Sequence, residues 1–562
     1  MGIMAASPGD PADPKDRSVA SVASRVRDPG YTPGIRDLAA LLELLAGAGD
    51  DDDDLIRAVE RAVSRIEAQH AVRLVRETVA RAEASVRPAR GRLARLVGRV
   101  GAAASDEAAA GAAREWLVTA IADDDPKTRH TAARALGKLK PAREAERAKL
   151  EAALLAAWDS GSAEDRRALA DALGKVGSSA ARGRLASVAS ESLPAKRAAI
   201  MIDRGAAREK PASIDRTRAP DAATTIRFHS RSGLEEIVRT ELGEAWRPRV
   251  AGSGLVDARL EGPLSGATSI RTATHVGFPL DPIQMRPKEE IAEAIVRAIL
   301  DPRSLAILRA FTDVGAGNAA PIRFRLAWTH GGHRRALAWR CAELVAAATK
   351  ELVNDPTEST WEIVVDELRD RVAIELVPRA FDDDRFSYRG ATVPASSHPT
   401  IAAALARLVP PREDEVVWDP FVGAGAELVE RARLGPYRAL IGTDTEQAAI
   451  DAATKNLAAA GIRGAKLAVG DGTTYEPGAV TLIVTNPPMG RRVQRGTHGD
   501  VLERFLDHAA QVLVPGGCLA WAAPETRLHE RAARAGLVLE SAVTVDMGGF
   551  PAELSVHRKA RV

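Results

Sequence analysis

The amino-acid sequence predicts a multidomain protein whose architecture changes twice along the chain: an N-terminal α-solenoid, a central α+β region and a C-terminal α/β domain with a Rossmann-like sheet. Three observations support this order. Glycines recur at offsets of 39 and 37 residues (at 98, 137 and 174) in a helix-favouring N-terminal part. Short strand-like runs then mix with amphipathic helical segments. Finally, strand and helix signals alternate from residue 391 to residue 562, as in doubly wound parallel sheets.

The composition excludes several classes of protein. The 562 residues include 78 Lys and Arg against 76 Asp and Glu, a formal net charge of +2, so any nucleic-acid surface must be local. With 45% apolar residues the chain can bury several cores. Its two cysteines, Cys341 and Cys518, are far apart, so neither a disulfide framework nor a metal site is predicted. Long apolar runs and a signal sequence are absent, and we expect a soluble cytoplasmic protein.

The N-terminal part is predicted to be a repeat structure. Residues 1–30 are rich in Pro, Gly, Asp and Ser and are predicted to form a disordered tail. Residues 31–210 have apolar positions at helical spacing. The recurring glycines stand in "RLVGRVG", "RALGKLK" and "DALGKVG", and "DDDPKTRHTAARALGKL" resembles a HEAT-type repeat. We therefore expect a HEAT-like solenoid that offers a surface to a protein or RNA partner, with an ordinary helical bundle as the alternative.

The central region follows a polar linker and contains one basic stretch with aromatic residues. Its mixture of short strand-like runs and amphipathic helical segments predicts two small α+β units, at residues 222–285 and 286–390. Residues 323–340, "RFRLAWTHGGHRRALAWR", hold five arginines and no acidic residue, a composition typical of nucleic-acid surfaces. Within this stretch Arg334 and Arg335 are the candidate RNA contacts.

Residues 391–562 carry the candidate cofactor site. The stretch "EVVWDPFVGAGAELVERA" predicts a strand, a turn through two glycines and a helix, and glycines there let the backbone approach a ligand. Three further strand-like runs follow. The carboxyl ends of parallel strands share one edge of a sheet, so the acidic residues that end three of these strands should lie beside the glycine turn and bind a nucleoside cofactor. The residues concerned are Asp419, Gly423, Gly425, Asp444 and Asp471.

The stretch "TNPPMGRR", residues 485–492, ends the fourth strand and indicates the chemistry. The prolines stiffen the backbone after Asn486, whose side-chain oxygen can accept a hydrogen bond together with the Pro487 carbonyl. Two acceptors would hold a planar exocyclic NH2 toward a methyl donor and favour the more positive nitrogen of the transition state. The glycine turn lacks both the dinucleotide pattern and the P-loop lysine. We therefore expect S-adenosyl-L-methionine as the cofactor.

These motifs resemble those of a known family. Residues 222–562 are similar to the THUMP-domain class I RNA guanine-N2 methyltransferases in the stretches "SRSGLEEIVRTEL", "DRFSYRGATVPASSHPTIAAALARL", "DPFVGAGAELVERA" and "TNPPMGRR". The resemblance implies a ferredoxin-like domain at 222–285, a THUMP-like RNA-binding domain at 286–390 and a methyltransferase domain at 391–562. It also implies methyl transfer from S-adenosyl-L-methionine to guanosine N2, with tRNA as the RNA.

The resemblance also assigns roles to individual residues. Asp444 would hold the ribose, and Asp471 would face the adenine. The implied cofactor-binding residues are Asp419, Phe421, Gly423, Gly425, Asp444, Asp471, Gly472 and Asn486. The implied catalytic residues, which would seat the base amine, are Asn486, Pro487, Pro488 and Met489. Arg491 and Arg492 are further candidate RNA contacts, and Glu430 matches a common family position.

The sequence departs from the family pattern at four positions. Val422, Ala424 and Ala426 stand where polar residues are common in the glycine turn, and Met489 stands where an aromatic residue usually follows the two prolines. A thioether can still pack on a base. Three other functions stay open: methylation of adenine N6, methylation of a protein glutamine, because both also present a planar NH2, and a catalytically weak binding scaffold built on the repeats.

Overall fold

The computed structural model describes residues 18–49, 51–139, 141, 143–188, 192–315, 317, 320–332, 334–394, 396–488, 498–524 and 526–561. The chain divides into two compact units. The first comprises residues up to Pro211 together with Trp339–Val353, and the second comprises Ala212–Ala338 and Asn354–Val562. Within the described ranges, no helix is both long and apolar enough to span a membrane.

The first unit is built from consecutive helices. Their bounds are α1 Val19–Arg25, α2 Leu38–Gly47, α3 Asp53–Val63, α4 Ala71–Glu83, α5 Ala89–Ala103, α6 Glu107–Ala120, α7 Pro126–Leu136, α8 Glu144–Ser160, α9 Ala163–Val176, α10 Ser179–Ala186 and α11 Leu193–Arg208. Aspartates begin several of them, because their carboxylates satisfy backbone N–H groups of the first turn. Asp52 accepts from the Leu55 N–H at 3.2 Å, and Asp106 accepts from the Ala109 N–H at 2.8 Å.

Part of the segment predicted to be a disordered tail is helical. Helix α1 lies inside residues 1–30, and its Val22 is fully buried in the core of the first unit. Val22 and Val26 are one helical turn apart and both buried, so they form a small apolar face, and α1 packs on α2. Residues 1–17 of the predicted tail lie outside the described residues.

The recurring glycines stand where alternate helices stack. Helix α5 packs on α7, α7 on α9, and α9 on α11. A Cβ added to Gly98 in α5 would lie 2.4 Å from the Cβ of Ala135 in α7. One added to Gly174 in α9 would lie 2.8 Å from the Cβ of Met201 in α11, and Gly137, which follows α7, approaches α9 in the same way. The period in the sequence therefore coincides with the stacking of helices, because each glycine permits a close approach.

Residues 212–338 and 354–378 of the second unit form strands and helices around one main sheet, and residues 339–353 between them belong to the first unit. The strands are β1 Ser213–Ile214, β2 Thr224–His229, β3 Arg249–Gly252, β4 Leu255–Leu260, β5 His275–Pro279, β6 Ile283–Gln284, β7 Thr312–Asp313, β8 Ile322–Trp328, β9 Leu352–Asn354, β10 Trp361–Glu367 and β11 Arg371–Pro378. The helices are α12 Glu235–Leu242, α13 Leu264–Thr268, α14 Ile291–Ile299, α15 Pro302–Phe311 and α16 Arg335–Ala348. The sheet runs β3-β4-β2-β5-β11-β10-β8. The two predicted α+β units thus share a sheet, since β5 of the first pairs with β11 of the second.

Residues after 398 form a Rossmann-like sheet, which confirms the α/β prediction. Its strands are β12 Val416–Asp419, β13 Ala439–Asp444, β14 Lys466–Val469, β15 Val480–Thr485, β16 Leu513–Ala523, β17 Leu537–Asp546 and β18 Pro551–Lys559. The helices are α17 Pro399–Arg407, α18 Ala426–Ala432, α19 Gln447–Ala459, α20 His498–Val512 and α21 Arg527–Arg534. The order is β14-β13-β12-β15-β16-β18-β17, parallel from β14 to β16. The direction of strand addition reverses between β12 and β15, where such sheets bind ligands at their carboxyl edge.

Apolar clusters cover both faces of this sheet. Val417 and Leu440 belong to one cluster, and Trp418 and Ile441 belong to the other. Successive side chains of a strand point to opposite faces, so neighbouring residues of β12 enter different clusters. Burial on both faces holds the carboxyl ends of the strands in fixed positions.

Candidate active site

Asp419 ends β12 and is fully buried. Its Oδ1 accepts hydrogen bonds from Thr485 Oγ1 at 2.7 Å and from the Phe421 N–H at 3.1 Å. Its Oδ2 is also buried and has no hydrogen-bond partner among the described residues. A buried acceptor without a partner is costly, so Oδ2 is suited to a donor from outside the chain. Because Thr485 ends β15, its hydroxyl also ties β15 to β12 where the strand order reverses.

The glycine turn between β12 and α18 lies against the end of β13. Gly423 and Gly425 have φ angles of +48° and +82°, which glycine adopts without strain. A Cβ added to Gly425 would lie 2.7 Å from Leu457 Cδ1, so the packing of α19 also requires glycine there. Around Gly423 the nearest described atom to an added Cβ is the Phe421 carbonyl oxygen at 3.9 Å, and this part of the turn is open. The Gly423 N–H donates to Asp444 Oδ2 at 3.0 Å.

Asp444 ends β13, and Asp471 follows the last residue of β14 by two positions. Asp444 Oδ1 accepts from the N–H two residues on at 3.1 Å, so each of its oxygens has one backbone donor and a further lone pair. Asp471 is exposed, and its Oδ1 accepts from the N–H two residues on at 2.8 Å. A Cβ added to the buried Gly472 would lie 2.8 Å from the Pro420 carbonyl oxygen. Gly472 therefore lets the loop after β14 pack against the turn after β12.

Asn486 directly follows β15 and is half-buried. Its Nδ2 donates to Ser397 Oγ at 2.9 Å, and the Ser397 hydroxyl donates to Glu427 Oε1. Asn486 Oδ1 is buried and has no hydrogen-bond partner in the part of the chain that the structure describes. Two unpaired acceptors, Asn486 Oδ1 and Asp419 Oδ2, therefore lie at the carboxyl ends of two adjacent strands.

Two buried carboxyl groups determine the electrostatics of this edge. Burial raises the pKa of Asp419 well above its ordinary value, and the nearby Glu427 carboxylate raises it further. Burial also raises the pKa of Glu427, in the first turn of α18, while the hydrogen bond from Ser397 acts in the opposite direction. A cationic group beside Asp419 would offset the cost of its negative charge. The edge is therefore suited to a ligand that carries a positive charge.

Most of the predicted cofactor and catalytic residues lie at this edge. The structure brings together Asp419, Gly423, Gly425, Asp444, Asp471, Gly472 and Asn486. The Phe421 ring packs edge-on against Phe505, with ring centroids 5.2 Å apart. Pro487 is buried and Pro488 is exposed. Three predicted residues lie outside the described residues: Met489, Arg491 and Arg492.

The two RNA contacts predicted in the central region, Arg334 and Arg335, lie at the start of α16. Neither residue belongs to the strands and loops that form the candidate site. Arg334 is exposed and donates to Glu367. Arg335 is exposed and is the first residue of α16. Both side chains can reach solvent, and their contact with RNA stays a prediction.

Ser397 and Glu427 were not predicted from the sequence as site residues. Glu427 lies within the quoted glycine motif, but the sequence does not show that its carboxylate is buried or that Ser397 meets it. Glu430, which matches a family position, has structural contacts. It is fully buried, pairs with Arg271 through two hydrogen bonds of 2.6 and 2.7 Å, and accepts from the Tyr388 hydroxyl at 3.0 Å.

Comparison with known proteins places this site in a family. Residues 387–549 match the model of the RMKL-like methyltransferase domain, UPF0020. The tRNA (guanine(6)-N2)-methyltransferase of Thermus thermophilus is 32% identical over 175 residues, 30% of this chain and 52% of that protein. The U6 snRNA (guanine-N(2))-methyltransferase THUMPD2 of Bos taurus is 31% identical over 124 residues, 21% of this chain and 24% of that protein. The crystal structure of TrmN from Thermus thermophilus has a TM-score of 0.48 and 22% identity, and covers 60% of this chain and 100% of its own.

The matches differ in how much of each protein they include. The chain spans about half the length of the Thermus relative and about a quarter of the bovine relative. The family match is confined to the C-terminal part, and it includes Asp419, the glycine turn and Asn486. Residues 387–549 of this chain therefore match the RMKL-like methyltransferase domain over the region that contains the candidate site.

Proposed function

We propose that the chain is an S-adenosyl-L-methionine-dependent RNA methyltransferase that methylates the exocyclic N2 of guanosine in tRNA. The observation that carries this proposal is the buried Asn486 Oδ1, which has no partner among the described residues and lies at the same sheet edge as the unpaired Asp419 Oδ2. The names of the two curated relatives support guanine N2 in RNA as the acceptor, and one of them names tRNA.

The residues at the sheet edge fit the proposed cofactor. The unpaired Asp419 Oδ2 would accept from the ammonium of its methionine end. The open surface at Gly423 leaves room for the cofactor beside the backbone. Asp444 would use its remaining lone pairs for the ribose hydroxyls, and Asp471 would accept from the adenine amino group. The proposed set is Asp419, Phe421, Gly423, Gly425, Asp444, Asp471, Gly472 and Asn486.

The proposed chemistry is the placement of a weak nucleophile. When bound, S-adenosyl-L-methionine supplies an electrophilic methyl group on a sulfonium. Asn486 Oδ1 and the Pro487 carbonyl would accept the two N–H bonds of the base amine and so hold its nitrogen toward the methyl donor. Neither oxygen is basic enough to remove a proton, so the proton that the methylated nitrogen loses would pass to water. They act by stabilising the positive charge that grows on nitrogen, because hydrogen bonds from a cationic donor are stronger. Pro488 and Met489 would complete the seat for the base.

The RNA itself would be held outside this edge. Arg334 and Arg335 are proposed to contact phosphate groups, because arginine binds phosphate through paired N–H groups and both side chains are exposed. Arg491 and Arg492 follow the two prolines in sequence and are proposed to contact the RNA beside the target base.

The domain organisation is part of the proposal. We assign residues 31–210 to HEAT-like repeats, 222–285 to a ferredoxin-like domain, 286–390 to a THUMP-like domain and 391–562 to the methyltransferase. The glycine contacts between stacked helices support the repeats, which would present a surface to a protein or RNA partner. Cys341 and Cys518 are both buried and neither forms a disulfide bond, which supports the proposed reducing, cytoplasmic location.

Mass spectrometry of nucleosides tests the proposed reaction. The purified chain, incubated with S-adenosyl-L-methionine and unmodified tRNA, should form N2-methylguanosine. Asn486→Ala should lower turnover by at least about 100-fold, because it removes an acceptor that favours the transition state. Calorimetry should show cofactor binding nearly intact, because the other seven residues of the cofactor set remain. Gln284→Ala, which truncates an exposed carboxamide on β6, is the control and should keep full activity.

The same experiment separates the other functions. If the product is N6-methyladenosine, the target is adenosine and not guanosine. If only a glutamine of a protein substrate is methylated, RNA is not the substrate. No heat of binding with the cofactor, together with no methylated product, would favour the scaffold built on the repeats. Full activity of Asn486→Ala would refute the role proposed for its amide.

A further inference from the structure

Three side chains from different parts of the methyltransferase domain form a hydrogen-bonded row that ends at Asn486. Glu427 Oε1 accepts from the Ser397 hydroxyl, and Ser397 Oγ accepts from Asn486 Nδ2 at 2.9 Å. Ser397 precedes α17, Glu427 lies in the first turn of α18, and Asn486 follows β15. The row therefore holds the Asn486 amide through its Nδ2, so that Oδ1 lies on the side of the amide away from Ser397.

The direction of the row follows from the proton on the serine. A hydroxyl has one proton to donate, and here the Glu427 carboxylate takes it. Ser397 Oγ can then only accept from Asn486, which requires the NH2 group of the amide, not its oxygen, to face the serine. If the carboxylate were absent, the hydroxyl could rotate and donate to the amide oxygen. The amide would then turn over and present NH2 to the substrate amine, which offers donors only.

The surroundings of Glu427 act on its ionisation in both directions. Burial raises its pKa, whereas the hydrogen bond from Ser397 and the positive charge of Arg389 act in the opposite direction, toward the ionised form that this row requires. The Glu427 side chain is 3% exposed, so no bulk water competes for the serine proton. It lies at the N-terminal end of α18, where the helix dipole favours negative charge. Arg389 holds the serine in place, because its Nη2 donates to the Ser397 carbonyl oxygen at 3.0 Å. That contact involves only the backbone of Ser397 and is independent of the hydroxyl.

We propose that Ser397 and Glu427 are positioning residues that set the orientation of the Asn486 amide, so that its oxygen and not its NH2 meets the substrate amine. The proposal rests on the function proposed above for Asn486. Neither residue needs to touch the substrate or the cofactor, so their effect should appear in turnover and not in binding.

The serine is tested with a neighbouring serine as control. Ser397→Ala should lower kcat by roughly 10- to 100-fold, because the amide loses the contact that orients it, while the KM for RNA and the Kd for cofactor change by less than about twofold. Ser397→Thr keeps the hydroxyl and should retain most of the activity. Ser396→Ala is the matched control: Ser396 Oγ contacts only the backbone of Val393 among the described residues, and its loss should leave kcat unchanged.

The glutamate provides a second, independent variant. Glu427→Leu removes the acceptor and a buried carboxyl beside Asp419, so kcat should fall while the melting temperature of the ligand-free protein stays the same or rises. Glu427→Gln keeps an oxygen acceptor and should lose at most a few-fold in kcat. A residue that merely supports the fold would lower the melting temperature and the activity together.

The outcomes distinguish this proposal from the one on which it rests. If the wild-type protein forms no methylated nucleoside, the proposed function fails before any variant is compared. If the wild-type protein is active and both Ser397→Ala and Glu427→Leu match it in kcat, the positioning role is wrong. A loss confined to the Kd for cofactor would assign Glu427 to cofactor binding and would also overturn the proposal.

Discussion

At the scale of single residues, the site depends on acceptors that the fold buries and leaves unsatisfied. Asp419 is held through one oxygen by Thr485 and the backbone, while its other oxygen has no partner among the described residues. Its raised pKa means that ionisation is less favourable in the folded chain than in the unfolded chain. Asp419 therefore favours folding fully only below its unfolded pKa, and this stabilisation is lost as the pH rises through the folded pKa. Above its unfolded pKa the group therefore makes folding less favourable until a cation approaches it.

We therefore expect Asp419→Asn to separate stability from binding. At pH 7.5 the variant without cofactor should melt about 2–4 °C higher than the wild type, because the buried charge is gone while Thr485 keeps its acceptor. The increase in melting temperature that S-adenosyl-L-methionine gives the wild type should be lost. Differential scanning fluorimetry with and without cofactor measures both effects. Asp414→Asn, at an exposed aspartate before β12, is the control, and an unchanged cofactor effect in Asp419→Asn would contradict the assignment.

At the scale of elements, helix α18 connects the candidate site to the central sheet. Glu427 faces Ser397, whereas Glu430, one turn later, pairs with Arg271 from the segment between α13 and β5. The ion pair is buried, so removing one partner would leave a charge without compensation. Helix α18 is thus attached to two parts of the second unit. Its N-terminal end holds the glycine turn, and Glu430 holds the segment that contains Arg271. The burial of Glu430 is explained by this connection.

The stacking glycines of the first unit give a prediction at the same scale. Gly98→Ala should destabilise the first unit by about 1–3 kcal/mol, because the new Cβ would lie 2.4 Å from the Cβ of Ala135. Gly183→Ala in α10 is the matched control, since no described atom lies within 4 Å of the new Cβ. There the higher helix propensity of alanine should stabilise by up to about 1 kcal/mol. Urea unfolding followed by circular dichroism measures both, and equal effects of the two substitutions would contradict the close contact.

At the scale of the whole molecule, the second unit holds the central and catalytic sheets together by specific contacts. Arg407, on α17, donates to Glu241 of α12 at 2.5 Å. Gly233, in the quoted "SRSG" stretch, lies so close to β17 that an added Cβ would be 1.9 Å from the Thr544 carbonyl oxygen. With the ion pair of Glu430, these contacts join the part of the central region before β5 to the methyltransferase domain, and β5 in turn pairs with β11 of the proposed RNA-binding part. The orientation of the substrate would then follow from the fold of the unit.

The buried His557 of the second unit predicts its response to acid. Burial, with a contribution from His529, lowers the pKa of His557 to about 4. The unfolded chain takes up this proton near pH 6.5, so stability should fall as the pH decreases from 6.5 to 4. Scanning calorimetry over this range should show the loss, and His557→Gln should reduce it by roughly 2–4 °C. His70→Gln in the first unit should not reduce this loss. A pH profile of stability that His557→Gln leaves unchanged would contradict the prediction.

Local sequence patterns were sufficient to predict the elements that carry the site. Periodicity and turn residues predicted the parallel sheet, the glycine turn, and the acidic residues at the ends of three strands, because these are local properties of the chain. The recurring glycines gave the period of the first unit for the same reason. Asp419, Asp444 and Asn486 could therefore be named in advance, since the rule that parallel strands share a carboxyl edge needs only strand ends.

Only the tertiary structure decided which of these groups meet and which remain unpaired. Ser397 and Glu427 are 30 residues apart, and Asn486 is 89 residues from Ser397, so no local pattern reveals their row. The sharing of one sheet by both predicted α+β units is likewise a pairing of distant strands. Hydrogen bonding and burial are properties of groups brought together by folding, and they decide whether an acceptor is satisfied within the chain or left for a substrate.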